Sequence, residues 1–393
     1  MRENTEMYTY RCLNNISGIG LKHFDDKYQE VHESESSDAI LVRSANMKDM
    51  EFDDQLKAIA RAGAGVNNVP VEECAKKGIV VFNTPGANAN GVKELVIAGM
   101  LLASRDIVGG IEWLEHQEPT DDLQKKAEKQ KKQFAGSEIA GKKLGIIGLG
   151  AIGVMVANTA VALGMEVHGY DPYLSLKAAW NLSSSIKYVQ DVTDIYKECD
   201  FITIHVPLND STQGMINAEA FGMMKEGAVL LNFARDLLVN EPALIDALNS
   251  GRLRKYVTDF VTPSVAKAPN TIITPHLGAS TKESEDNCAV MAVRQIRDYL
   301  ENGNIKNSVN YPSCDMGVCA TAGRIAVNHT NGPNMLAQLT AVLGSANLNV
   351  ANISNKSRGD YAYTLIDTDS PLDEKIVAGL KAIAGVLKVR IIK

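Results

Sequence analysis

No apolar run in these 393 residues approaches the ~18 needed to cross a bilayer, and the opening Met1-Arg2-Glu3-Asn4-Thr5-Glu6 does not read as a secretory signal. An excess of positive charge is missing too. The 40 Lys and Arg stand against 47 Asp and Glu, for a net charge of −7, so neither nucleic acid nor an anionic membrane is an expected partner. The six cysteines, at 12, 74, 199, 288, 314 and 319, form no Cys-x-x-Cys pair and no metal-ligand spacing. They read as reduced thiols of a cytoplasmic protein without a metal. No short repeat is visible. What remains is ordinary globular composition, 45% apolar and 22% charged, at a length that suits two or three domains.

The richest stretch runs from Leu144 to Asp171. Leu144 to Ile147 reads as a buried parallel strand, and Gly148 permits the tight turn that leaves it. The absent side chain of Gly150 lets a pyrophosphate approach the backbone, and that of Gly153 lets the following helix pack closely. With Ala151 and Ile152, that helix start offers free N–H groups and a positive dipole end to phosphates. Asp171 ends the next strand, where a carboxylate accepts the two ribose hydroxyls. No Arg or Lys follows it until Lys177, so NAD is expected rather than NADP.

The chain around this motif is α/β. Apolar runs at Ala39–Val42, Leu56–Ile59 and Ile79–Phe82 suggest a small parallel sheet, with a helix over Val71–Lys77. Asn83 to Gly91 is a loop, and Val92 to Ala103 is an apolar helix. The charged segment Glu112–Gln133 reads as a solvated helix or arm, with a role in subunit contact as the other reading. Strands at 144–147, 166–170, 201–206, 228–232, 256–260 and 271–274 make a doubly wound sheet. A long helix at 283–302 follows, then a linker over 303–320. The last part, 321–393, reads strand–helix–strand–strand–helix–strand, with strands at Arg324–Thr330, Asn349–Lys356, Ala362–Asp367 and Leu387–Ile392, a ferredoxin-like order.

Three segments at strand ends carry the chemistry: Phe201 to Pro207, Leu231-Asn232-Phe233-Ala234-Arg235, and Thr274-Pro275-His276-Leu277-Gly278. Ligands sit at the carboxyl ends of strands in open α/β sheets. There the Arg235 fork suits a carboxylate and the C2 oxygen of a 2-hydroxy acid. His276, with an ordinary pKa near 6.5, suits removal of the hydroxyl proton as hydride departs. His205 alternates within its strand and reads as packing.

Together, Gly148–Gly153, Arg235, Asp259 and the Pro275-His276-Leu277-Gly278-Ala279-Ser280 run resemble the D-isomer 2-hydroxyacid dehydrogenases, and within them the branch that oxidises 3-phosphoglycerate. Val42-Arg43-Ser44, Arg61 to Asn68 and Phe82 to Asn88 resemble it as well, and the C-terminal part resembles an ACT domain. The resemblance implies a flavodoxin-like substrate domain over 1–92 with the returning helix 283–302, a Rossmann-type NAD domain over 93–282, and a cleft that closes between them. It implies that Gly65, Val66 and Asn88 face the substrate, with Arg43 and Ser44 on its phosphate side. Asp259 is then expected to hold the nicotinamide carboxamide, and Pro207, Thr212, Ala234 and Gly278 to line the NAD site. His329, Asn331 and Asn349 match the spacing of the residues that grip L-serine between two ACT copies, and a homodimer or homotetramer is implied.

Two positions depart from the family. Asp236 stands where Gly usually follows the Arg, and it is expected to compete with the substrate carboxylate for Arg235. Ser264 stands where a Glu normally orients the catalytic His. The alternatives therefore include a dehydrogenase of another 2-hydroxy acid and a catalytically impaired NAD- and serine-binding sensor.

Overall fold

The computed structural model describes residues 7–32 and 34–393. It divides into two compact units, one made of the chain up to Asn88 together with Lys282–Lys393, the other of Ala89–Thr281.

In the first unit, strands β1 (Tyr8–Cys12), β2 (Tyr28–Glu30), β3 (Ala39–Val42), β4 (Ala58–Arg61) and β5 (Val80–Phe82) form a sheet of order β2-β1-β3-β4-β5. All its pairings are parallel, and the order is the flavodoxin-like one. Strand β3 is buried at every position, which is why it reads as an unbroken apolar run. The expected run at Leu56–Ile59 is displaced to Ala58–Arg61, because Leu56 precedes the strand and packs from the loop. The helix Lys282–Asn302 returns to this sheet and buries Ala289, Ala292, Val293, Ile296, Tyr299 and Leu300 on one stripe.

The second unit holds β6 (Lys143–Ile147), β7 (Glu166–Tyr170), β8 (Lys187–Tyr188), β9 (Phe201–Ile204), β10 (Ala228–Asn232), β11 (Leu253–Thr258) and β12 (Thr271–Ile273). Their order is β12-β11-β10-β9-β6-β7-β8. The winding reverses between β6 and β9, the position where doubly wound sheets bind dinucleotides. Two of these strands differ from expectation by two residues or more. Strand β9 stops at Ile204 and leaves His205 to Pro207 in the loop, while β11 starts at Leu253 and ends at Thr258. The charged arm holds helices Ile107–Glu115 and Leu123–Gln130, neither with a buried residue.

The remaining strands are β13 (Gly323–Thr330), β14 (Val350–Arg358), β15 (Tyr361–Thr368) and β16 (Val386–Ile391), an antiparallel sheet of order β14-β15-β13-β16. Helices Met335–Ser345 and Glu374–Lys381 cover one face through Leu339, Leu343, Ile376 and Leu380. The other face belongs to the core of the first unit: Ala326, Tyr363 and Leu365 cluster with Phe82, Tyr299 and Tyr311. Polar contacts fix this docking. Tyr363 Oη donates to the Gly303 carbonyl at 2.7 Å, and the Arg390 guanidinium lies 4.0 Å from the Tyr299 ring centre. Arg324, buried beside it, makes a two-pronged pair with Asp367 at 2.6 and 2.9 Å.

Among the described residues no helix is long and apolar enough to cross a membrane. The six cysteines are all unpaired.

Candidate active site

The glycine-rich turn begins where β6 ends. Gly148 has φ +97°, and a side chain there would meet the His205 carbonyl at 2.7 Å. At Gly153 a Cβ would fall 1.9 Å from the Gly148 carbonyl, so the helix Ala151–Ala162 packs against the turn itself. A Cβ on Gly150 would meet no protein atom within 4 Å. The protein's own packing therefore does not require glycine there, and the bare backbone faces open space. Gly150 caps the helix without a side-chain bond, leaving the N–H groups of Ala151, Ile152 and Gly153 without intrahelical acceptors. These residues fit a bound pyrophosphate.

Asp171 closes the same turn. Its Oδ2 accepts the Leu149 N–H at 2.9 Å and its Oδ1 the Tyr173 N–H at 2.8 Å. Each oxygen keeps a lone pair for a ribose hydroxyl. Across the switch point, Thr212 Oγ1 donates to the Pro207 carbonyl at 2.6 Å, and Asn209 Oδ1 accepts the Thr212 N–H at 3.2 Å. His205 shares a 3.0 Å bond with Thr203, and burial pushes its pKa down to about 3. It is a neutral packing residue.

The reacting groups come from the ends of β10, β11 and β12. Asn232 is fully buried; its amide donates to the Arg235 carbonyl at 2.8 Å and accepts the Ala234 N–H at 3.2 Å. It thereby shapes the bend from which Arg235 projects. The Arg235 guanidinium donates to the Ala234 carbonyl at 2.6 Å and is exposed. Asp236, the expected competitor, sits next to Arg235 in the chain without pairing with it. Asp236 opens the short turn Asp236–Leu238, and among the described residues Arg235 has no ion pair with it or with any other carboxylate.

Asp259 is buried, and its carboxylate accepts Thr274 Oγ1 at 2.6 Å and the N–H groups of Leu277 and Gly278, both at 2.7 Å. The residue expected to meet the nicotinamide thus first organises the loop that carries His276; Oδ2, with a single bond, keeps a free lone pair. His276 itself is exposed and has φ +59°, a conformation non-glycine residues seldom adopt. Its ring meets Phe260 edge-on at 5.1 Å. The Ser264 carbonyl accepts the Lys267 N–H at 3.2 Å, and among the described residues its hydroxyl has no hydrogen bond. The His276 ring likewise has no hydrogen-bond or carboxylate partner.

In the first unit, the expected substrate residues follow the carboxyl ends of β3, β4 and β5. Asn14, which sequence reasoning missed, gathers the first of these segments: its Oδ1 accepts the N–H groups of Arg43, Ser44 and Ala45 at 2.9 to 3.0 Å. Asn68 donates to the Ala45 carbonyl at 2.7 Å and Asn83 to that of Ala64 at 2.6 Å. The loops bearing Arg43, Ser44, Gly65 and Val66 are so tied together, and the Asn83 segment runs on to Asn88. Arg43 also pairs with Glu285 at 2.8 Å, a partner from the distant returning helix.

In the C-terminal sheet, His329 is buried, with Nδ1 on the Thr330 carbonyl and Nε2 on Thr364 Oγ1, each at 2.8 Å. Burial holds its pKa below the usual histidine value. Asn331 donates to the Gly359 carbonyl at 3.0 Å, and Asn349 to Asp369. One chain does not bring the three together. His329 is opposite Ala362 on β15, whereas Val350, next to Asn349, is opposite Thr368, about 20 Å along the strand.

Residues 97–278 match the family model described as the NAD binding domain of D-isomer specific 2-hydroxyacid dehydrogenases. The D-3-phosphoglycerate dehydrogenase of Escherichia coli K12 is 32% identical over 354 residues, covering 86% of this chain and 82% of that one. This chain is a D-isomer specific 2-hydroxyacid dehydrogenase family member. Its similarity to the D-3-phosphoglycerate dehydrogenase of Methanocaldococcus jannaschii is 37% identity over 296 residues, 73% of this chain; it spans about half (54%) of that relative's length. Among solved structures, the NAD+-bound 3-phosphoglycerate dehydrogenase of Entamoeba histolytica has TM-score 0.57 and 27% identity, over 77% of this chain and 98% of that one. D-2-hydroxyisocaproate dehydrogenase, with TM-score 0.62 and 20% identity over 77% of this chain and 99% of that one, shares the fold. Among the described residues, Asp236 makes no ion pair with Arg235 and Ser264 no bond with His276.

Proposed function

We propose that this chain is an NAD-dependent dehydrogenase that interconverts 3-phospho-D-glycerate and 3-phosphohydroxypyruvate, the opening step of L-serine biosynthesis. The observation that carries the reading is the presence of an Arg235 without an ion-pair partner among the described residues and an exposed His276. Both follow carboxyl ends of the sheet that holds the glycine-rich turn. Bound NAD supplies the hydride acceptor. Arg235 has donors to clamp the substrate carboxylate and polarise the C2 oxygen. His276 takes the C2 hydroxyl proton onto a ring nitrogen, and Asp259 keeps the His276 loop in place. Arg43, Ser44, Gly65, Val66 and Asn88 bind the rest of the substrate, with Arg43 toward its phosphate. The test is NADH consumption with 3-phosphohydroxypyruvate, compared with pyruvate and glyoxylate.

The missing partner of His276 favours a second reading, an impaired enzyme kept for NAD and effector binding. Ser264→Glu separates the two. If turnover is limited by a histidine without a charged partner, kcat rises by roughly 10- to 100-fold, below the ~10⁴-fold effect of losing a triad Asp.

L-serine is the proposed effector, held by His329 and Asn331 of one copy and Asn349 of another. The exposed Ile107, Val108, Ile111 and Leu114 of the arm support self-association into a homodimer or homotetramer. Six unpaired cysteines support a reducing, cytoplasmic setting.

A further inference from the structure

At the amino-terminal edge of the second unit's sheet, remote in that sheet from the ends that carry Arg235 and His276, a cavity of about 390 Å³ is lined by Arg105, Lys142, Arg254 and Lys255. Two carboxylates share the wall, and both are already engaged. Asp106 Oδ1 caps the arm helix by accepting the Gly109 N–H at 3.2 Å. Asp200 accepts the Lys143 N–H at 2.9 Å and the Lys225 ammonium at 2.6 Å. Among the described residues none of the four cations has an ion-pair partner.

Arg254 is the built part of the site. Its Nε donates to the Gly227 carbonyl at 3.3 Å and its Nη1 to the Ala103 carbonyl at 2.9 Å. Its guanidinium lies 6.0 Å from the Phe201 ring centre. Those contacts fix the planar fork and leave Nη2 without a protein acceptor. Burial pulls its pKa below the usual guanidinium value, opposed only by Asp200. A half-buried guanidinium held by two neutral carbonyls lacks the counter-charge that usually accompanies such burial. Lys142 and Lys255 add flexible ammonium donors on either side, and Arg105 a second fork.

We propose that this cavity binds a phosphate-sized oxyanion, with Arg254 as the fixed donor and Lys142, Lys255 and Arg105 closing around it. Its place gives the ligand a structural consequence. The arm leaves the body at Arg105 and Asp106 and returns at Ala135 to Ser137, all in the cavity wall. The two roots are already joined by the Ser137 N–H to the Ser104 carbonyl at 3.0 Å and the Asp106 N–H to the Phe134 carbonyl at 3.3 Å. At Gly136 a Cβ would lie 1.9 Å from the Ser104 carbonyl, so the return is tightly seated. An anion between Arg105, Arg254 and Lys142 ties both roots to the sheet and steadies the apolar arm helix.

The test uses the full chain with inorganic phosphate at constant ionic strength, read by thermal unfolding and titration calorimetry. Phosphate is expected to raise the unfolding midpoint saturably, beyond any effect of chloride. The double variant Lys142→Ala/Lys255→Ala removes two unpaired side chains, so its fold is retained. Its phosphate affinity is expected to fall roughly tenfold or more. Arg254→Met is expected to abolish the effect, whereas Arg43→Ala, in the first unit, leaves it intact. A phosphate response equal in the double variant and the wild type overturns the proposal, as does a response no greater than that to chloride.

Discussion

The buried carboxylate of Asp259 accepts the Gly278 N–H at 2.7 Å, joining the end of β11 to the loop that presents His276. Oδ1 extends the joint to Leu277 and Thr274. Asp259→Ala strands these donors, and the Gly278 N–H is buried. The expected cost is about 1–3 kcal/mol of stability, accompanied by a fall in kcat as His276 loses its fixed loop. Thermal unfolding and steady-state kinetics check both. An unchanged midpoint with unchanged kcat would remove the positioning role.

Arg43 and Glu285 form a pair that is about two-fifths exposed on each side, and such pairs contribute about 0–1 kcal/mol. If Arg43 binds the substrate phosphate as proposed, that phosphate displaces Glu285 with little penalty. Glu285→Gln is expected to lower KM for 3-phosphohydroxypyruvate by about two- to fivefold, within the same range. Arg43→Ala should raise it by roughly tenfold or more. Neither change should move KM for glyoxylate. Equal shifts for the two substrates would take the phosphate away from Arg43.

On the proposed reading, the separation of Asn331 from Asn349 requires two copies to hold one serine. Asn331→Ala and Asn349→Ala should each lose the rise in thermal stability that serine gives the wild type. Mixing the two variants under conditions of subunit exchange should restore part of it, because one of the two sites in a mixed dimer holds an intact pair. Calorimetry on the mixture reads this directly. Recovery absent despite demonstrated exchange, or a full serine response in either variant alone, would contradict the arrangement.

Lys388 reaches from β16 to the loop before β4, donating to the Leu56 carbonyl at 2.5 Å and the Asp54 carbonyl at 3.2 Å. Burial, helped by Arg390 and Lys57 and opposed by Asp54 and Asp53, lowers its pKa from 10.5 to about 8. Between those values the unfolded chain holds the proton that the folded chain has released, so this group's contribution to stability rises with pH. Below about pH 8 the charged, buried amine is a constant penalty. Wild type minus Lys388→Met should therefore gain stability from pH 8 to 10.5, by at most ~3 kcal/mol. A flat difference across that window would show that the two carbonyls fully compensate the ammonium.

The local parts of this molecule were legible in the chain. The glycine at 148 is required by its positive φ and that at 153 by the Gly148 carbonyl five residues before it, and the switch from strand to helix around them is visible as apolar pattern. The ferredoxin-like order of the last sheet followed from its alternating elements. What escaped was long-range. Strands β1 and β2 are mixed and partly exposed, so they carry no run. Asn14 and Glu285 act on Arg43 from opposite ends of the chain. The docked face of β13 and β15 was hidden because its polar members, Arg324 and Asp367, are buried as a pair, and a sequence reading assigns such residues to solvent. Asp236 follows Arg235 directly, yet among the described residues the short turn it opens brings it into no ion pair with Arg235.

The most direct measurement is the loss of NADH absorbance in the presence of 3-phosphohydroxypyruvate, for the wild type, Arg235→Ala and His276→Ala. The wild type is expected to turn over, faster with NADH than NADPH and faster than on pyruvate or glyoxylate. Arg235→Ala should lose most of kcat/KM, and His276→Ala should lose turnover while binding NADH as before. No turnover by the wild type, or turnover that survives His276→Ala, would contradict the account.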